Sequence, residues 1–190
     1  DSRFEFARYG ERLAASQVSF QSMAKNLTAA PTLIDLFLDE VIVEMLDKHK
    51  PDVLGISVPF AGTVYAALRM GAAAKKKGIK VVMGGGYANT ELRRLSDARV
   101  FDYVDYITLD DGERPLVCLI DLFLGKRTRA QLFRTYYREQ GKVLYARNPD
   151  EKDLPFRETG TPTYQGLPID RYIPLYEMLN PVTRLWSGYF

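Results

Sequence analysis

Apolar residues recur at helical spacing from Phe4 to Leu27, through Leu13, Phe20, Met23 and Leu27, and predict a helix. Pro31 follows, and Thr32 is placed to cap a second helix over "LIDLFLDEVIVEMLDKHK". There Leu33, Leu36, Phe37, Val41, Met45 and Leu46 form a broad apolar face. Lys48, His49 and Lys50 fall in its last turn, where positive charge suits the helix dipole, and Pro51 stops it. "DVLGISV" is then a short apolar run of the kind buried in parallel sheets. "PFAGT" breaks it, with Thr63 as cap for the alanine-rich helix "VYAALRMGAAAKKK" and Gly78 at the position just past its end. "IKVVM" predicts the next strand, "NTELRRLSD" a short helix capped by Asn89 or Thr90, and "DYVDYITL" a third strand. "DDGERP" turns into the helix "LVCLIDLFLG", which ends at Gly125.

Short apolar strands alternating with helices imply βαβ units, a mostly parallel sheet with flanking helices, and right-handed crossovers. After Gly125 the pattern changes. "TYYREQGKVLYARN" predicts a hairpin turning at Gln140-Gly141. From Pro155 onward the periodicity is lost and prolines recur, as in extended connecting chain. The reading divides the chain into a helical segment (1–50), an α/β domain (51–126), the hairpin (127–150) and a connector (151–190).

Composition narrows the chemistry. The 190 residues carry a net charge of +2, too mild to argue for nucleic acid or a membrane surface as partner. No apolar run reaches the ~18 residues of a membrane span. The start has no signal-peptide pattern and no initiator methionine, so the expectation is a cytoplasmic protein of which this is an excised segment. With one cysteine, Cys118, and one histidine, His49, the chain alone builds neither a zinc site nor a cysteine-ligated cluster, and no Ser-His-Asp triad is convincing.

In open α/β sheets, ligands bind beyond the carboxyl ends of the strands, where strand order reverses. Three loops fall at such ends: "SVPFAG", "GGGYANT" and "LDDGERP". In the second, Gly84-x-Gly86-x-x-Asn89 fails the dinucleotide fingerprint at the third glycine, and Asp110 stands at only a loose spacing for a ribose-binding acid. A Walker ending is absent. What remains is either a bare surface on which a flat ligand approaches the backbone, or a tight turn needing glycine for sterics alone. "DDGER" reads as a carboxylate pair for acid–base work, or as a turn with Asp110 or Asp111 capping a helix whose first turn holds Glu113 and Pro115. "DKHKPD" superficially matches a D-x-H-x-x-G cobalt-ligating loop, but Asp52 stands for the glycine and the stretch ends a helix at the opposite end of the sheet. Lys75, Lys76 and Lys77 read as a helix end.

"PDVLGISVPFAGTVYAALRMGAAAKKKGIKVVMGGGYANTELRRL" followed by "FDYVDYITLDDGERPL" resembles the N-terminal, cobalamin-binding-type domain of radical S-adenosylmethionine proteins. The likeness spans Pro51 to Gly125, and the tail "LPIDRYIPLYEMLNPVTRLW" is similar to the connector to a catalytic barrel. The resemblance implies a flavodoxin/Rossmann-like fold whose strand ends face a corrinoid. Ser57 is then the polar contact to the cofactor's nucleotide tail, with Pro59 and Phe60 beside it. Gly84, Gly85 and Gly86 form the flat surface, with Tyr87 and Asn89 following, and Asp110, Asp111, Gly112 and Glu113 line the rim facing the barrel. It also implies a 4Fe-4S cluster and S-adenosylmethionine in a catalytic domain outside this chain, with that domain as partner. The cobalt-ligating histidine loop and the C-x-x-x-C-x-x-C cluster motif are missing here, so this segment is not catalytic alone. The alternatives are an interaction module that kept the fold and lost the cofactor, and a nucleotide-binding enzyme domain.

Overall fold

A computed structural model describes residues 20–168 of the chain. Of the helix predicted from Phe4, the described part is α1 (Phe20–Thr28); Phe4 and Leu13 lie outside the described residues. Helix α2 (Leu33–His49) starts as its sequence demands. Thr32 accepts from the Asp35 amide while the Asp35 carboxylate accepts from the Thr32 amide at 2.8 Å, and Lys50 closes the helix in a left-handed conformation.

Among the described residues five strands form one mixed sheet in the order β1 (Val53–Ser57), β2 (Lys80–Gly84), β3 (Tyr106–Thr108), β4 (Thr135–Glu139), β5 (Lys142–Ala146). The first three run parallel, and β4 and β5 return antiparallel. Gln140 and Gly141 both take positive φ, as a two-residue hairpin turn matching the sheet twist requires. The fold is α/β, as the alternation predicts, and Rossmann/flavodoxin-like, as the resemblance implies. Its strand order nevertheless shows no reversal among the described strands, so the crevice expected at a switch point does not form between them.

Period-two alternation sends the strands' side chains into two cores. Val81, Met83, Ile107 and Tyr136 meet α1, α2, α3 (Val64–Lys76) and α4 (Gly86–Glu91) on one face. Val82, Tyr106 and Tyr137 meet Cys118 and Leu119 of α5 (Glu113–Phe123) on the other. Fully buried side chains such as Leu68 and Ile107 contribute ~1.5–3 kcal/mol each. Both α3 and α5 are followed by left-handed glycines, Gly78 and Gly125, where expected. Lys75 is more than a helix end: its ammonium donates to the Phe101 carbonyl at 2.9 Å and pairs at 2.8 Å with Asp105, which in turn accepts from the Val81 amide.

Two expectations about burial are corrected. Among the described strands β1 pairs only with β2 and stands at their edge, with Gly55 and Ser57 exposed. Helix α2 buries Asp35, Ile42 and Leu46, while Leu33, Leu36, Phe37, Val41 and Met45 stay exposed. Its apolar residues are spread widely round the helix, so the pattern does not choose a face. The choice falls to Arg69 of α3, which pairs with Asp39 and lies 3.7 Å from buried Asp35.

The chain divides into two compact units between Leu154 and Pro155. Helices α1 and α2, the sheet and the hairpin all belong to the first. The described part of the second carries a short 3₁₀ turn, Phe156–Glu158, and positive φ at Gly160 and Gly166.

Candidate functional site

The parallel pairing brings the carboxyl ends of β1, β2 and β3, and so all three loops, to one rim of the sheet. Val58 knits the first two together. Its buried amide donates to the Gly84 carbonyl at 2.8 Å and its carbonyl accepts from the Tyr87 amide at 2.9 Å. The glycines are what let the loops approach so closely. A Cβ on Gly84 would stand 2.7 Å from the Thr108 hydroxyl, one on Gly85 2.8 Å from the Val58 nitrogen and oxygen, and one on Gly86 2.7 Å from the Pro59 oxygen. Gly85 also takes φ 101°, which side chains avoid. The absent side chains make room for the protein's own backbone and hydroxyl groups.

Asn89 and Thr90 do not cap the helix after the glycines; they lie inside α4, which begins at Gly86. Asn89 instead clamps the third loop. Its amide oxygen accepts from the Asp110 amide at 2.5 Å, and its amide nitrogen donates to the Asp110 carbonyl at 3.3 Å. That double bond pattern holds Asp110 at φ 62°. The Asp110 carboxylate pairs with Arg93 and lies 3.5 Å from Arg134, which also pairs with Asp153 at 2.9 Å. Asp110 therefore neither caps α5 nor stands free for a ribose. The residue before the helix is Gly112, which gives no side-chain cap, and Thr63 likewise donates to the Phe60 carbonyl rather than capping α3.

Several residues at the rim stay accessible. Ser57, Pro59, Asp111, Gly112 and Glu113 are exposed, and Phe60 is 72% exposed. Tyr87 is half-buried; burial and the neighbouring Glu91 charge push its phenol above the usual range. His49 lies in the last turn of α2, at the opposite end of β1 from these loops. No group of three or more His, Cys, Asp or Glu able to hold a metal occurs among the described residues, and no described helix is long and apolar enough to cross a membrane.

Two clusters escape sequence reasoning because their members are far apart in the chain. Arg93 and Arg134, around Asp110, are one. The other is partly buried Glu151, held by Arg114 and Arg127, with the Cys118 sulfur 3.7 Å away. Burial pushes the Glu151 carboxyl up, and hydrogen bonds from Arg127 and Arg114 outweigh it, leaving the group below its ordinary range. Cys118 is a free cysteine buried in the core, and burial pushes its thiol up. No protein-family model matches the chain, and no curated protein matches it.

Proposed function

We propose that this chain is the N-terminal cofactor-binding or substrate-gating domain of a radical S-adenosylmethionine iron–sulfur enzyme, not catalytic by itself. The supporting observation is the shared rim: three parallel strand ends, locked by close glycine contacts and the Asn89 clamp, with Ser57, Phe60 and Asp111–Glu113 facing water. Such a stiff edge suits a surface that seats against a catalytic barrel, whose radical chemistry must be closed off from water.

The residues present fit a corrinoid only in part. His49, the one histidine, is at the wrong end of the sheet to ligate cobalt, and the space beside Gly84, Gly85 and Gly86 is taken by Thr108, Val58 and Pro59. What fits is a strip of β1 where Gly55 has no atom near its Cβ position and the Ser57 side chain is exposed, a place for the edge of a nucleotide tail. Gating is thus the better supported half of the proposal. Titrating the purified chain with hydroxocobalamin separates the two: a visible-spectrum change supports cofactor binding, and none at high protein concentration removes it.

The second reading, an interaction module without cofactor, draws on exposed Phe60, a large apolar side chain with no core to fill. The nucleotide-binding reading loses its acid, because Asp110 is engaged by Arg93 and Arg134.

A further inference from the structure

A cavity of about 430 Å³ lies between α1, α3, the end of β2, α4 and the stretch from Leu92 to Val100. Its volume falls within the ~300–1,000 Å³ of small-molecule sites. The floor is apolar and buried: Met23, Leu68, Met83 and Val100 are each at most 4% exposed. Two thioethers there adapt to an apolar or aromatic guest.

The lining is different at its solvent side. Tyr87, Glu91, Arg94 and Ser96 all line the cavity. The neighbouring charges are paired, Arg93 with Asp110 and Arg99 with Asp97. Glu91 and Arg94 are both exposed, and neither forms an ion pair with the other or with any other described residue. One negative and one positive group beside an apolar floor complement a molecule carrying both charges at one end.

We propose that this cavity binds a free α-amino acid with a large apolar or aromatic side chain. The side chain rests on Met83 and Leu68, the ammonium faces Glu91 and the carboxylate faces Arg94. A guanidinium presents paired donors suited to a carboxylate, and the Tyr87 hydroxyl in the lining offers one more donor. The site needs neither a corrinoid nor a catalytic barrel, so its failure leaves the proposed function untouched.

Isothermal titration of the purified chain with L-phenylalanine and L-methionine at neutral pH tests it. Saturable binding is expected, weakened ~10-fold or more for phenethylamine and for 3-phenylpropionate, each of which lacks one charge. Arg94→Gln and Glu91→Gln, both at exposed positions where folding is not at risk, should each lower affinity by a similar factor. Leu95→Trp, filling the half-buried wall, should abolish binding while the far-ultraviolet circular dichroism stays unchanged. Absence of saturable binding to the folded wild-type chain, or undiminished binding by the Arg94→Gln and Glu91→Gln variants, would overturn the proposal.

Discussion

Glycine does different work at different positions, and the spread gives the sharpest residue-scale test. At Gly85 a Cβ meets the Val58 backbone at 2.8 Å under a positive φ, and at Gly71 one meets the Tyr103 carbonyl oxygen at 2.2 Å. Gly85→Ala and Gly71→Ala should each lower unfolding free energy by about 3 kcal/mol or more, read from urea midpoints. Gly55 has open space, so Gly55→Ala should change stability by less than about 1 kcal/mol, toward the stabilising side. Equal losses at all three would contradict the contacts. Asn89→Ala removes both bonds to Asp110 and should destabilise by roughly 1–2 kcal/mol. Glu151 gives a pH signature. Its folded value lies below the ordinary carboxylate range, so its contribution is present above the unfolded value of about 4.3 and fades as pH falls through the lower folded value. Glu151→Gln should therefore destabilise by roughly 1–3 kcal/mol at neutral pH and flatten that acid limb in urea melts.

At the scale of elements, most of the architecture is legible in the sequence because its signals are local. Thr32 and Asp35 form a reciprocal cap, Gly78 and Gly125 end helices, and Gln140-Gly141 turns a hairpin, each within a few residues of chain. Thr32→Ala should thus lower the melting midpoint by an amount equivalent to about 1 kcal/mol, readable by calorimetry. What the pattern misses depends on partners far away. The buried side of α2 is chosen by Arg69, thirty-odd positions on, which a helical wheel does not contain. Edge or centre is likewise a property of the sheet, so a run as apolar as "VLGIS" reads as buried although β1 has one neighbour among the described strands. Candidate rim residues were legible only as loop positions. That Asp110 is tied to Arg93 and Arg134, and that the glycines admit backbone rather than ligand, follows from contacts the spacing does not encode.

For the molecule as a whole, the division at Leu154 predicts that the sheet with its helices folds without the tail. A chain shortened to end at Leu154 should keep the thermal midpoint of the full one to within a few degrees; a large drop would show that the later residues belong to the same cooperative unit. The functional claim concerns something larger than this chain. Under the proposed function, a radical-generating barrel covers the rim of three strand ends, where close glycine contacts join the loops. The most direct measurement is the sequence of the coding region immediately downstream of Phe190. The account predicts an open frame with a C-x-x-x-C-x-x-C motif within a few dozen codons. A stop codon there, or a frame that continues without such a cysteine cluster, would contradict it.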